Sequence, residues 1–330
     1  MDDMSSNILN WGLLSTARIN RSVIPGIRAS KRSNLLAIAS RSQESADAFA
    51  KKWKIPRAYD SYEALLADPE IDVIYIPLPN HLHVEWTIKA VETGKHVLCE
   101  KPITLNVEDV DTIASAAKKH DRVVAEAFMY RHAPQTLKVE EIVSSGSIGT
   151  LKLLRGSFAY MLTYEGNIRA NPTMGGGSLW DVGCYPISYM RTVFGAEPLE
   201  VFGWQLIGPT GIDDTFVGQM RFPGKVYGQF DCSFVTPFHV YMEFVGSKGT
   251  VIVPKPYKPG LNEKIFLVRD GKTETIKIKG EELYLGEVED MVDAILLGKT
   301  PRISLEDSRA NIAAIKALFE SANTGTAIKL

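Results

Sequence analysis

Glu100-Lys101-Pro102 closes a short apolar run, HVLCEKP, placing a carboxylate, an ammonium and a rigid imide where a buried strand should finish. Such a charged pair is either a solvated strand end or a lysine directed into a cleft, and its surroundings must decide. Three other stretches bear on the choice. Gly12-Leu13-Leu14-Ser15-Thr16-Ala17 partly fits a dinucleotide fingerprint, with Gly12 for the tight turn and Ala17 for close helix packing. Leu14 stands where the middle glycine would let the backbone approach a pyrophosphate, so an ordinary strand-helix turn is the competing reading. Ser40-Arg41-Ser42 ends the second apolar run, and the first acid comes only at Glu44. A carboxylate there would repel a 2′-phosphate, whereas an arginine between hydroxyls can bind one, so any dinucleotide is expected to be NADP(H) rather than NAD(H). A surface arginine before an N-cap serine would look the same. The third stretch, Pro77-Leu78-Pro79-Asn80-His81-Leu82-His83, makes a stiff loop after a strand. Open α/β sheets bind ligands at that end. His81 and His83 lack the supporting cluster that a metal site needs, so no metal is expected.

The elements that would position these residues follow from apolar patterning. Ile8–Leu14, Leu35–Ala39, Val73–Pro77, Val97–Cys99 and Val123–Ala125 are short, almost continuously apolar runs. Between them lie SQESADAFAKKW, HLHVEWTIKAVETG and NVEDVDTIASAAKKH, with apolar residues at helical spacing and polar residues suited to N-caps. The alternation predicts a parallel sheet covered on both faces, a doubly wound Rossmann domain over residues 1–127. Beyond it, alternating segments from LKLLRGSFAYMLTY to EKIFLVRD predict a large, mainly antiparallel open sheet. Helices over about 186–194 and 305–323 back that sheet. The fold class is therefore α/β, with an N-terminal Rossmann domain and a C-terminal α+β substrate-binding domain over residues 128–330.

The chain of 330 residues carries 37 basic and 39 acidic side chains, a formal charge of −2, which gives no basic field for nucleic acid or anionic lipid. Its 3 cysteines (Cys99, Cys184 and Cys232) are too few and too scattered for a disulfide framework or a zinc pattern. MDDMSSNILNWG has no basic region followed by a long apolar one, and no apolar run is long enough to span a bilayer. A cytoplasmic protein is expected.

With PLPNHLH upstream and GGGSLWDVGCY downstream, the EKP triplet resembles the glucose–fructose oxidoreductase / inositol dehydrogenase / MocA family. The branch it looks like contains the NADP-dependent sugar (D-xylose-type) and trans-dihydrodiol dehydrogenases. The resemblance spans essentially the whole chain and implies an active site between a Rossmann domain and an open-sheet domain. It matches Lys101 to the family lysine beside nicotinamide and substrate, and Asp181 and Tyr185 to the downstream catalytic groups. Many members have histidine at the Tyr185 position; this branch has tyrosine and tolerates loss of the middle fingerprint glycine. It further implies that Ser15, Thr16 and Ala17 face the pyrophosphate, and Ser40, Arg41 and Ser42 the adenosine phosphate. Pro77, Leu78, Asn80, His83, Glu100 and Pro102 would line the dinucleotide groove, with Arg169 and Trp180 near the nicotinamide end. Tyr130-Arg131 would lie at the domain junction.

These residues suit hydride transfer from a carbinol carbon, which requires removal of the hydroxyl proton. A tyrosine with its ordinary pKa near 10 is a poor base, but an ammonium nearby favours the phenolate. Lowering that pKa by about two pH units takes roughly 2.7 kcal/mol, within reach of Lys101 in a water-poor cleft. Pro186 suits a first helical turn and would set Tyr185 near a positive helix end. Asp181 would orient the substrate hydroxyl or hold Lys101. Singly, the three residues read as a packing tyrosine, an N-cap and a strand-end charge; together they read as catalytic. The expected activity is NADP(H)-dependent oxidoreduction of a sugar or cyclic polyol. A non-catalytic dinucleotide sensor and an NAD-dependent glycoside hydrolase are the rivals within the family. Intact Lys101, Asp181 and Tyr185 argue against the sensor, and the missing acid after the second strand against the hydrolase. The broad sheet has a face to cover, which predicts a homodimer or higher homo-oligomer. Phe158, Tyr160, Tyr164, Phe238 and Tyr241 either line the substrate pocket or simply alternate along strands.

Overall fold

Strands buried on both faces need no polar alternation, and Val73–Ile76, buried at all four positions, is the centre of such a sheet. The computed structural model describes residues 8–330; the leader question raised by the first seven residues lies outside the described residues. Residues through Met129 together with Glu282–Arg309 form one unit, and Tyr130–Glu281 with Ala310–Leu330 form the other. The sequence expectation placed everything after residue 127 in the second domain, so residues 282–309 are the main difference.

The first unit contains β1 (Leu9–Leu14), α1 (Asn20–Ala29), β2 (Ser33–Ala39), α2 (Gln43–Trp53), β3 (Arg57–Tyr59), α3 (Tyr62–Leu66), β4 (Val73–Ile76), α4 (His83–Glu92), β5 (His96–Glu100), α5 (Val107–Lys119) and β6 (Val124–Ala127). Its sheet runs β3-β2-β1-β4-β5-β6, and every pairing is parallel. Strand order reverses between β1 and β4, where doubly wound sheets open a crevice at their carboxyl ends. β3 and α3 were absent from the sequence reading, so the run ending at Pro77 is the fourth strand, not the third. The Ser42 hydroxyl caps α2 by accepting from the Ser45 N–H at 3.4 Å. In α5, acids in the first turn and lysines in the last complement the helix dipole.

The second unit begins with α6 (Pro134–Ser144), β7 (Leu151–Ala159) and α7 (Cys184–Phe194), then β8 (Glu200–Ile207), β9 (Asp213–Phe222), β10 (Val226–Ser233) and β11 (His239–Gly246). β12 (Thr250–Val253), β13 (Asn262–Arg269) and β14 (Lys272–Lys279) follow, then α8 (Leu285–Leu297), α9 (Leu305–Thr324) and β15 (Ile328–Lys329). α8 belongs to the first unit, as do the residues of α9 before Ala310. The order β14-β13-β12-β11-β7-β10-β9-β8-β15 is antiparallel except for the β7–β10 pair. The mainly antiparallel expectation holds. α6 and α8, however, are helices that the sequence reading did not name. α8 packs against α1 and is tied there by Arg32, which pairs with Glu289 and, at 2.7 Å, with Asp293. Among the described residues, no helix is long and apolar enough to cross a membrane.

Candidate active site

The fingerprint loop takes a different frame from the one read off its glycine. Gly12 lies within β1, where an added Cβ would meet Leu65 Cδ2 at 2.8 Å, so it packs closely and does not make the turn. The chain turns at Ser15, whose φ is 87°, a left-handed conformation usually left to glycine. Ser15 Oγ accepts from the Ala17 N–H at 3.2 Å, and the buried Asn20 amide donates to Ser15 O at 2.7 Å. Ser15, Thr16 and Ala17 thus form the loop between β1 and α1. At the end of β2, Ser40 is buried, Arg41 is exposed and Ser42 caps α2. No carboxylate intervenes before Glu44 in the first turn of that helix.

The EKP turn is pinned at each residue flanking Lys101. The Tyr75 hydroxyl donates to Glu100 Oε1, while Glu100 Oε2 accepts from the Lys101 N–H at 3.3 Å. His83 sits between two carbonyls, with Nδ1 at 2.8 Å from Pro102 O and Nε2 at 2.8 Å from Leu78 O. A neutral ring carries one N–H and donates to one of these carbonyls; donated from Nδ1, it ties the Pro77–His83 loop to the EKP turn. Buried Glu126 accepts from the Ile103 N–H at 2.9 Å through Oε1. Pro77, Leu78 and Asn80 occupy the loop ahead of α4, so the structure gathers the residues expected to line a groove on this unit.

Two carbonyl acceptors favour an imidazolium at His83, but complete burial opposes it more strongly and the Lys101 ammonium adds to the opposition. The pKa is pushed down to about 4, so the ring is neutral at pH 7. A base whose folded pKa lies below its unfolded value contributes stability present above about pH 6.5 and lost as pH falls through about 4. For His83 the loss between about pH 7 and about pH 4.5 amounts to roughly 2–3 kcal/mol. His96, also held to about 4 by burial, adds to it. Urea titrations should show the acid-induced loss shrinking by about that amount in His83→Gln; an equal loss in wild type and variant would refute the assignment.

In the second unit, Asn167 and Asn171 cap two short turns that carry Arg169 and lead into Gly175-Gly176-Gly177. Gly177 has φ 122°, and a Cβ there would collide with Asp213 Oδ1. Asp213 Oδ2 accepts from Ser178 Oγ at 2.8 Å and from the Leu179 N–H at 2.7 Å, anchoring the start of a π-type turn over Leu179–Gly183. Burial raises the Asp213 pKa to about 6, although those two donors pull it down. Asp181, in that turn, accepts on Oδ2 from Tyr160 Oη and from Arg169 Nε, both at 2.9 Å. Trp180 is buried against Phe319, ring centroids 5.6 Å apart.

Tyr185 follows in α7. Its ring lies 5.4 Å from Phe158, 5.4 Å from Tyr257 and 5.6 Å from Tyr130, centroid to centroid. The expectation that Tyr185 stands at an open positive helix end is corrected: the π-type turn runs directly into α7, and the Cys184 N–H already bonds Leu179 O and Val182 O. Tyr130 packs on Tyr185 and Arg131 donates to Ser188 Oγ at 3.2 Å, so both support α7. Of the five possible pocket residues, Phe158 packs on Tyr185 and Tyr160 donates to Asp181, whereas Phe238 is 72% exposed. Tyr75, Glu126 and Asp213 escaped the sequence reading. An acid within the apolar strand VAEA was the one available signal, since buried acids are kept only with partners.

A parallel sheet with a pinned lysine turn, together with a mixed sheet carrying a tyrosine–aspartate segment, defines a two-unit oxidoreductase with a dinucleotide-binding Rossmann domain. Two family profiles match: "Oxidoreductase family, NAD-binding Rossmann fold" over residues 9–128, and "GFO/IDH/MocA C-terminal domain" over residues 136–252. The chain belongs to the GFO/IDH/MocA oxidoreductase family. It is 35% identical to a D-xylose 1-dehydrogenase (NADP(+)) of Haloferax volcanii, covering 97% of this chain and 99% of that one. It is 33% identical to a trans-1,2-dihydrobenzene-1,2-diol dehydrogenase of Danio rerio, over 74% of each chain. Among solved structures, the 3-ketoreductase KijD10 of Actinomadura kijaniata, in complex with NADP and TDP-benzene, superimposes with a TM-score of 0.90 at 26% identity. That match covers 96% of this chain and 98% of the ketoreductase.

Proposed function

We propose that the protein is an NADP(H)-dependent oxidoreductase acting on a CH–OH group of a sugar or related cyclic polyol, with Tyr185 as acid/base assisted by Lys101. The observation that carries the reading is the pinning of the EKP turn. A strand-end lysine that serves only to be solvated needs no Tyr75, His83 and Glu126 to fix the residues around it. The β1–α1 loop and the Ser40-Arg41-Ser42 corner suit a dinucleotide: a turn at Ser15 before a helix N-terminus, and an exposed cation with hydroxyls where a 2′-phosphate would fall. Bound NADP⁺ would supply the hydride acceptor. Tyr185 takes the proton of the reacting hydroxyl, and Lys101 favours its phenolate. Asp181, fixed by Tyr160 and Arg169, orients the substrate.

The relatives' names support a carbohydrate or cyclic diol substrate, and the NADP of the ketoreductase complex supports the cofactor choice. The deciding assay follows NADP⁺ and NAD⁺ reduction with a panel of aldoses, inositols and cyclic diols. Turnover with NADP⁺ favours this reading. Tight NADPH binding with no substrate oxidised by NADP⁺, and no matching keto compound reduced by NADPH, favours a dinucleotide sensor.

The reading includes a homodimer formed through the open sheet. Trp204 and Val217 face each other on β8 and β9 and are exposed, as is Tyr227 on β10. Arg155 and Glu243 form a 2.8 Å ion pair across β7 and β11 on the same face. An exposed apolar patch around a polar ladder suits a self-complementary interface. Light scattering at micromolar concentration should give twice the chain mass, and Trp204→Glu should shift it toward the monomer; a monomeric wild type would end the proposal.

A further inference from the structure

The segment that carries Asp181 and Tyr185 begins without a cap of its own. Ser178 stands at the head of the π-type turn over Leu179–Gly183, yet its hydroxyl bonds no backbone N–H of that turn. The first N–H groups of a helix need acceptors, and buried ones need them most. Here the acceptor comes from β9, 34 residues further along the chain: Asp213 Oδ2 takes the Leu179 N–H at 2.7 Å and the Ser178 hydroxyl at 2.8 Å. Asp213 and Ser178 are both buried, so water does not stand in for either bond. The other end of the turn rests on the neighbouring strand β10, where a Cβ on Gly183 would meet Cys232 Sγ at 2.8 Å.

Gly177 transmits this anchoring to Asp181. A Cβ on Gly177 would collide with Asp213 Oδ1, so only glycine admits the carboxylate there. Its N–H donates to Arg169 O at 3.0 Å, and its carbonyl accepts from the Asp181 N–H at 3.1 Å. The side chains complete the circuit, since Arg169 Nε donates to Asp181 Oδ2 at 2.9 Å. Arg169, Gly177 and Asp181 thus form a closed circuit of three hydrogen bonds seated on Asp213. We propose that Asp213 is a positioning residue, which sets where the Asp181 carboxylate and its Arg169 partner stand and through them the orientation of the substrate. The proposal rests on the reading of Asp181 as the group that orients the substrate. Without the Asp213 carboxylate, Ser178 and Leu179 would present two buried donors with no acceptor, and the turn must shift to satisfy them.

A double-mutant cycle tests this with the aldose, inositol or cyclic diol that gives turnover. Asp213→Ala should lower kcat/KM about 10- to 100-fold, the size expected when an orienting group is displaced. Asp213→Asn, whose amide oxygen can accept the same two donors, should stay within about threefold of wild type. In an Asp181→Ala background, Asp213→Ala should cost less than about a further twofold, because the group it positions is already gone. Additive losses, or an asparagine variant as impaired as the alanine one, overturn the proposal. Should Asp213→Ala fail to fold, Ser178→Ala removes one donor only; its loss of about threefold should vanish in the Asp181→Ala background, and persistence there overturns the proposal too. Hydrogen exchange read by mass spectrometry needs no substrate. Residues 177–183 should exchange about tenfold faster in Asp213→Ala than in wild type or Asp213→Asn, and unchanged exchange removes the anchor. A wild type that turns over no substrate with either nicotinamide cofactor, while this segment loosens in Asp213→Ala, would instead overturn the catalytic reading of Asp181 and leave the anchoring by Asp213 standing.

Discussion

Tyr185→Phe should lower turnover by about three orders of magnitude while NADPH binds as tightly as to the wild type. The size follows from what general acid/base catalysis contributes, typically 10²- to 10⁴-fold, when the group that carries the proton is deleted. Selectivity for turnover follows from packing. The Tyr185 ring is held by Phe158, Tyr257 and Tyr130, and phenylalanine retains all three ring contacts. Residues proposed to bind the dinucleotide phosphates belong to the other unit, in the β1–α1 loop and the β2–α2 corner. Lys101→Ala should show a loss of similar order, because the proposed chemistry needs an ammonium to favour the phenolate. Single-turnover measurements separate the hydride step from product release. Near-wild-type turnover in either variant would remove the assigned acid/base pair.

Much of the first unit was legible because strands buried on both faces appear as unbroken apolar runs; Val73–Ile76 is buried throughout and its run was read within a residue. Arg57–Tyr59 is a three-residue edge strand, half-buried at every position, and leaves no such trace. The fingerprint misled by three residues for a related reason. Glycine marks positive φ only when the chain uses glycine there, and here Ser15 makes the turn while Gly12 serves packing. α8 has helical patterning, but its membership of the first unit depends on contacts with α1 and the turn after it, some 260 residues earlier, such as Arg32 Nε to Glu289 Oε2, whose separation is 257. The candidate site divides in the same way. Lys101, Asp181 and Tyr185 were visible in short motifs, but the groups that fix their surroundings are tertiary partners. Tyr75 reaches Glu100 from the neighbouring strand, and Asp213 reaches Ser178 from 35 residues downstream. Spacing along one segment carries no information about either.

Arg41→Ala should weaken NADPH by about 10- to 100-fold and leave NADH within about twofold of its wild-type affinity. Arg41 is exposed at the end of β2, next to a buried Ser40 and the N-cap Ser42, and α2 presents its N-terminus there. A 2′-phosphate at this corner would meet a guanidinium, two hydroxyls and the positive end of an 11-residue helix. A ribose 2′-hydroxyl carries no charge and gains little from the same arginine. The fold-change corresponds to about 1.5–3 kcal/mol, the range for a hydrogen bond to a charged group. Because the contact is at the surface, raising the salt concentration should narrow the wild-type preference for NADPH and leave the variant nearly unaffected. Equal weakening of both cofactors would mean that Arg41 supports the corner without reading the phosphate. Selectivity would then have to come from elsewhere in the groove, since Glu44, the nearest acid, lies within the first turn of α2 and not at the end of β2.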